Sequence, residues 1–316
     1  KKLTVPPGGS PDYARHYAFI GDSSSVFVRE VFDAAQKEGA LSGDYVSLMG
    51  EGLDIRYSEL QLLDIAAASR VDGIIVSANA GEEMLQAINE VEQAGIPVVC
   101  VGTDSYGSLR QSYVGISYYT LGQEYGEVIA SLATDAVQKV TILTSPNEKK
   151  RGQNLVYSGI VDYIGKAGLS SRFSFETMAA GNGTMFSAAE SITDLFNSSD
   201  LPQILVCLDE TNTTCACQSI VDTNQVGDVT ILGYYVNDTI KNAVEKQIIP
   251  ATLTVNAGEI GRSSIRCLDE YLENGFVTEY IPIDIDTLTA DNIDAYMEQR
   301  SAAENASASQ GKEVSG

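Results

Sequence analysis

The stretch VDGIIVSANAGEEMLQAINEVEQAGIPVVCV, Val71 to Val101, carries the pattern on which the fold turns. An apolar run, Gly73-Ile-Ile-Val-Ser77, leads to a segment with helical spacing over Glu82 to Gln93, and then to a second apolar run, Pro97-Val-Val-Cys-Val101. Apolar runs of about five residues that alternate with helices are the mark of parallel strands covered on both faces. The alternation continues outward. On the N-terminal side, Tyr17-Ala-Phe-Ile-Gly21 reads as a strand, with Val28, Val31, Phe32 and Ala35 following at helical spacing. Then come Tyr45-Val-Ser-Leu-Met49 and a helix over roughly Ser58 to Ser69; on the C-terminal side Tyr113-Val-Gly-Ile116 completes the set.

The pattern then restarts. Lys139 to Leu143 is a strand, a helix covers roughly Gln153 to Ala167, and Arg172 to Glu176 follows. A helix near Ser187 to Phe196 precedes the strand Gln203 to Leu208, a helix reaches Val221, and Val229 to Gly233 is the next strand. A helix over Thr239 to Lys246 leads to Ala251-Thr-Leu-Thr-Val255. Adding five or so strands to the first sheet strains a single open sheet. The chain is therefore expected to be α/β, with two doubly wound parallel-sheet lobes and a ligand cleft lined by the carboxyl ends of both strand sets.

The 316 residues include 43 acidic and 20 basic ones, a net charge of -23. So acidic a surface repels a phosphate backbone, and nucleic acid is excluded as a partner. One histidine, His16, reads as a residue at the edge of an N-terminal linker, and no HExxH, paired CxxC or P-loop pattern occurs, which disfavours zincins, zinc ribbons and Walker hydrolases. No metal or cofactor is expected. The five cysteines, Cys100, Cys207, Cys215, Cys217 and Cys267, read as buried free thiols; Cys215 and Cys217 sit about 200° apart around a helix and do not face each other. The chain begins at Lys1 with a Pro/Gly-rich stretch, so a signal peptide or lipid-anchor cysteine is expected to have been removed or to lie outside it, and the small polar residues 301–316 predict disorder.

Several segments, in order, resemble the type I periplasmic binding proteins, the solute receptors of sugar ABC transporters, whose ligand domain is shared with lac-repressor-like regulators. Ser23-Ser-Ser-Val-Phe27-Val28 resembles the family's turn after strand one, Val71 to Ser77 its "vDGIIi" strand and Ala94-Gly-Ile-Pro-Val-Val99 its "aGIPVV" strand. Tyr113 to Gly122 is similar to "yvgsDNyxxG", Asp209-Glu210 to the start of "nDexAxGa", Gly233-Tyr-Tyr235 to "GfD", and Ala251 to Gly261 to "atixqxpxxiG". The likeness runs from about Tyr17 to about Asp286. It implies three crossings between lobes, near Ser117, Val255 and Asp284. Lobe one is then 14–117 plus 256–283, lobe two is 118–255 plus 284–300 with a C-terminal helix near Ala290 to Gln299, and 1–13 and 301–316 are tails.

The resemblance also implies ligand contacts at Ser25 and Phe27 after strand one, Asn79 after strand three, and Gly102, Thr103 and Asp104 after strand four. In the second lobe it implies Tyr118, Asn154, Asp209, Tyr235 and the crossing pair Val255 and Asn256. Carboxylates and amides suit hydroxyl groups, and an aromatic face packs on the C–H side of a sugar ring. Phe27 and Tyr235 have core packing as the alternative, and Asp209 has helix capping. Family sugar receptors usually carry Asp-Arg after strand four and an arginine on the first helix of lobe two. Here the positions read Gly102-Thr103 and Asn154, with Asp104 one place later as a substitute; "DN" is Tyr118-Tyr119, and a common crossing glutamine is Val255. Trp is absent, leaving Tyr106, Tyr118, Tyr119, Tyr157 and Tyr235 for stacking. A less charged, more aromatic pocket also suits a modified sugar or a nucleoside.

Three function classes follow. The first is an extracytoplasmic solute-binding protein, a monomer, which captures a sugar or sugar-like molecule by hinge closure for an ABC permease, on a cell surface as a lipoprotein or in a periplasm. The second is the ligand-sensing domain of a membrane sensor or chemoreceptor system; a transcription regulator needs a basic headpiece, and with roughly 16 residues before strand one that reading falls unless the chain has been trimmed. The third, an enzyme, is not expected: Asp284 and Asp286 read as a solvated strand face, and no Ser-His or Cys-His arrangement is available.

Overall fold

The computed structural model describes residues 13–52, 55, 57–78, 81–144, 150–181 and 184–302. The chain divides into two compact units: residues 13–115 with Ala257–Ile281, and Ile116–Asn256 with residues 282–302. It passes from one to the other after Gly115, Asn256 and Ile281.

The first unit is built from β1 (His16–Ile20), α1 (Val26–Ser42), β2 (Tyr45–Leu48), α2 (Glu59–Ala68), β3 (Gly73–Val76), α3 (Glu82–Gln93), β4 (Val98–Val101) and β5 (Ser112–Gly115). The second contains α4 (Tyr118–Ser131), β6 (Gln138–Thr144), α5 (Lys150–Lys166), β7 (Phe173–Ala179), α6 (Met185–Phe196), β8 (Ile204–Cys207), α7 (Glu210–Asp222), β9 (Thr230–Tyr234), α8 (Asp238–Glu245) and β10 (Ala251–Val255). The chain returns to the first unit with α9 (Ala257–Asn274) and β11 (Tyr280–Pro282), and ends in the second with β12 (Ile285–Leu288) and a helix over residues 293–302.

Each unit holds one six-stranded sheet, in the orders β11-β5-β4-β3-β1-β2 and β12-β10-β9-β8-β6-β7. Strands β1 to β5 pair in parallel, as do β6 to β10. Leaving out the last strand of each sheet, both follow the 2-1-3-4-5 order of doubly wound sheets, whose strand order reverses beside the first strand. Sequence periodicity agrees with position in the sheet. Central strands β3, β4 and β8 are buried at every residue, whereas the edge strands β2 and β7 mix buried and exposed positions.

Two expectations are corrected. The second sheet is not purely parallel: β12 runs antiparallel to β10, pairing Thr254 with Asp286, because the chain can return along the free edge of β10 once the parallel set is complete. His16 is not a linker residue. It opens β1, and its ring lies 2.8 Å from Ser47 Oγ, half-buried, so that burial lowers its pKa. All five cysteines are free and buried.

Helix starts follow strand ends because the right side chain stands there. Ser25, Ser58, Ser117, Thr184, Asp209 and Asn237 each accept a backbone N–H two or three residues into the helix. Ser58 forms a full capping box with Gln61.

Candidate functional site

In the first unit the strand order reverses between β1 and β3, and the residues just past these strands are where open α/β sheets bind ligands. Gly21 follows β1 and sits so close to Val28 and Ser77 that a Cβ there would lie 2.8 Å from Val28 Cγ1 and 3.3 Å from the Ser77 Cβ. Ser25 caps α1 through Val28 N–H at 3.3 Å. Two residues along, the half-buried ring of Phe27 lies against Gly102, where a Cβ would come within 2.8 Å of Phe27 Cε1. Gly102 itself has φ +69°, a left-handed conformation that a side chain disfavours. Thr103 N–H then donates to Val101 C=O at 2.7 Å, closing a tight turn that presents Thr103 and Asp104. The geometry thus joins Phe27 to Gly102, the residue before Thr103. Asn79 lies outside the described residues.

Asp104 is not a lone carboxylate. Arg110 Nε donates to its Oδ1 and Arg110 Nη2 to its Oδ2 at 2.8 Å, a bidentate pair. The arginine side chain is 6% exposed and the aspartate 20%. Arg110 Nη1 also reaches the Glu279 carbonyl at 3.1 Å, and its guanidinium lies 5.9 Å from the Tyr113 ring centroid. An Asp–Arg pair is therefore present after β4, with the arginine brought in from the start of the next strand. The position directly after β4 carries no arginine of its own, and Arg110 reaches Asp104 from six residues farther along the chain. Tyr106, next to this turn, is exposed.

In the second unit the order reverses between β6 and β8. Asp209 follows β8 and accepts from Asn212 backbone N–H at 2.7 Å and from Asn212 Nδ2 at 2.6 Å, one on each oxygen. Burial raises its pKa and the Asn212 donors pull it back. The helix-capping role weighed for Asp209 is thus present. Behind it, Asn237 Nδ2 donates to Glu210 Oε1 at 2.8 Å and to Thr214 Oγ1 at 3.0 Å, linking the starts of α7 and α8.

The remaining candidates fall into different environments. Tyr118 begins α4, and its ring faces Gly152 of α5, 3.5 Å from where a Cβ would stand. Asn154 on α5 and Asn256 after β10 are exposed, and Val255 is buried in β10. Tyr235 is 1% exposed, with φ +68°. Its backbone N–H donates to Leu253 C=O at 2.7 Å, Thr252 Oγ1 donates to its carbonyl at 2.7 Å, and the Arg300 guanidinium lies 5.9 Å from its ring centroid. The ring is core, and the left-handed residue is what turns the chain after β9. Sequence reasoning missed Arg110, Asn212 and Asn237. Asn212 and Asn237 carried a usable signal, since both stand at helix starts beside strand ends; Arg110 carried none.

Among the described residues no group of three or more His, Cys, Asp or Glu side chains is placed to hold a metal ion, and no helix is long and apolar enough to cross a membrane. What the two strand-end sets offer is hydrogen-bonding carboxylates, amides and hydroxyls beside aromatic faces.

Comparison with known proteins places this geometry. No curated protein matches the sequence. Among solved structures, the glucose-galactose binding protein GanP from Geobacillus stearothermophilus shares the fold, with a TM-score of 0.79, 20% identity, and 89% of this chain and 99% of that one covered. A solute-binding protein of an ABC transporter from Burkholderia graminis, solved with D-arabinose, has a TM-score of 0.79 at 15% identity, covering 89% and 97%. A structure of the XylFII-LytSN complex has a TM-score of 0.76 at 21% identity, covering 88% and 99%. Residues 17–275 match the family described as "Periplasmic binding protein domain". That match covers well over half of the chain, and together with two doubly wound units in the shared strand order it decides the assignment: the chain belongs to the periplasmic binding protein family, with the type I fold.

Proposed function

We propose that the protein is an extracytoplasmic solute-binding protein that captures a sugar or sugar-like molecule for an ABC permease, by hinge closure of its two units. The observation that carries the reading is the family match over residues 17–275, supported by neighbours whose names specify glucose-galactose binding and bound D-arabinose. The chemistry of the first unit agrees. A carboxylate taken bidentately by a buried arginine is nearly neutral as a pair, yet keeps two lone-pair directions free. Such an acceptor suits neutral hydroxyls better than an ammonium group. Thr103 and the Phe27 ring against Gly102 supply a hydroxyl and an apolar face. The ligand-contact set is Ser25, Phe27, Asn79, Thr103, Asp104, Tyr118, Asn154, Asp209 and Asn256; Tyr235, with its ring buried, shapes the turn after β9 instead. Ligand contact with both units stabilises the closed form, by as much as the affinity differs between closed and open.

Calorimetric titration with D-glucose, D-galactose, D-xylose, D-arabinose, D-ribose and the common nucleosides tests this, with small-angle scattering of any complex. Micromolar binding of one of them with a smaller radius of gyration is the expected result. No binding across the panel refutes sugar or nucleoside capture, and binding without compaction refutes hinge closure. A second reading, a ligand-sensing domain that docks on a membrane sensor, is favoured by the likeness to a chain solved in a complex with a second protein. Ligand-dependent binding to a purified permease or to a sensor ectodomain separates the two.

A further inference from the structure

The turn that carries Asp104 is tied to more than its own loop. Arg110 holds the Asp104 carboxylate with two nitrogens and the Glu279 carbonyl with the third. That same carbonyl accepts the Tyr113 backbone N–H at 2.9 Å, and Ser112 Oγ donates to the Thr278 carbonyl at 2.8 Å. Tyr113 closes the circuit from the other side. Its hydroxyl donates to the Gly102 carbonyl at 2.8 Å, and its ring stacks on Tyr280, with centroids 5.5 Å apart and planes 9° apart.

The residues at the far end of this circuit are those by which the chain leaves the first unit. Gly115 is the last residue before the first passage, and the segment through Ile281 is the last before the third. Tyr280 Oη even reaches back to the Gly115 carbonyl, at 3.4 Å. All of these contacts lie within the first unit.

Stability alone does not account for the arrangement. A buried ion pair gains little over well-packed apolar residues of the same volume, because both charges must be stripped of water. What a bidentate guanidinium adds is direction: it fixes the carboxylate plane, and a lysine ammonium cannot reproduce the fork. We propose that Arg110 is a positioning residue that couples the Asp104 turn to the strands through which the chain leaves the first unit, so that a ligand engaging Asp104 also biases those strands. This rests on the reading of Asp104 as a ligand contact.

Hydrogen-exchange mass spectrometry of the ligand-free protein tests the coupling without any sugar. The variants are Asp104→Asn and Arg110→Lys, compared with the wild type. Among the described residues no hydrogen bond joins Asp104 to residues 278–281, and its charge acts there only on the ionisation of the Tyr280 phenol, so loosening there in Asp104→Asn passes through Arg110. The expected result is exchange faster by about tenfold or more in peptides covering both 102–110 and 276–282, as loss of a charged hydrogen bond implies, with peptides from β1 to β3 and from the second unit unchanged. Exchange that rises only in 102–110 overturns the coupling. A rise throughout the first unit overturns it too, since it marks a merely structural pair. If Arg110→Lys does not fold, Asp104→Asn, which keeps the side-chain shape, carries the test. Failure of every sugar to bind the wild type removes the proposed function and leaves the exchange result standing on its own.

Discussion

Asp44→Asn removes an ionisation that the fold penalises. Asp44 stands between the Gly43 cap of α1 and the start of β2, 6% exposed, and its Oδ2 has no hydrogen-bond partner among the described residues. Burial, and next the nearby Asp269 carboxylate, raise its pKa from 3.8 to about 6, while Arg15 pulls the other way. Arg15 is already engaged: Asp269 Oδ1 accepts from Arg15 Nη1 at 2.8 Å and from Tyr17 Oη at 2.5 Å, and Arg15 also reaches Glu273 at 3.6 Å. Because the folded pKa lies above the unfolded one, the folded state holds this proton more tightly. The penalty is absent below about pH 4, grows as pH rises through the window up to 6, and is complete above it. At about 1.4 kcal/mol per pKa unit, a rise from 3.8 to about 6 amounts to about 3 kcal/mol at pH 7.5. Asparagine keeps the shape without the charge, and its amide can donate to Asp269. The variant is therefore expected to exceed the wild type by about 3 kcal/mol at pH 7.5, a melting shift of about 4–5 °C, and to converge with it at pH 4. Scanning calorimetry at pH 4 to 7.5 is the assay, since the chain has 16 tyrosines and no tryptophan to report by fluorescence. Carboxyls remote from Asp44 titrate equally in both proteins, so the difference reports Asp44 together with its coupling to Asp269. A difference that does not change with pH, or a variant less stable at pH 7.5, refutes the reasoning.

Two further outcomes are expected. Gly102→Ala combines a left-handed backbone at φ +69° with a Cβ 2.8 Å from Phe27, whereas Gly43→Ala meets only a left-handed backbone, at φ +78° with nothing within 4 Å. Both lose about 1–2 kcal/mol of stability in urea denaturation, and Gly102→Ala loses more and also weakens sugar binding; equal losses would refute the contact with Phe27. The five buried thiols, with burial pushing Cys100 and Cys217 up to about 12, should be silent to a thiol reagent at pH 8 in the native state and all react after unfolding. Rapid reaction of any thiol in the native protein contradicts their burial.

The strands were legible because burial on both faces demands continuous apolar residues, and the helices through their apolar spacing: the strand Ala251–Val255 and the helix Glu82–Gln93 fall where the pattern places them, and most other elements within a few residues. The helix α4 was not read. It carries Gly122 and Gly126, which lower helix propensity, and the reason for them is tertiary: a Cβ on Gly122 would lie 2.1 Å from the Val156 carbonyl of α5. The run holding Asp284 and Asp286 reads as a strand, and β12 (Ile285–Leu288) stands there; its antiparallel pairing with β10 leaves no mark in the local residue types. For the candidate site, the motifs placed Phe27, Thr103 and Asp104 just past strand ends, where the structure has them, since strand ends are visible as the limits of apolar runs.

Alone, the sequence determined the fold class, the repeated alternation of strands and helices, and the family, because burial and turn chemistry are written in local residue types. Only the tertiary structure decided the state of the groups at the strand ends. Asp104 and Arg110 are six residues apart on a loop with no periodicity, and nothing local says that one grips the other or that Glu279, far along the chain, completes the grip. Likewise Tyr235, an aromatic residue at a strand end, reads as a stacking platform until its burial and the turn it makes are seen. Whether a polar or aromatic side chain serves ligand, cap or core depends on what non-neighbouring residues do to its exposure and its charge.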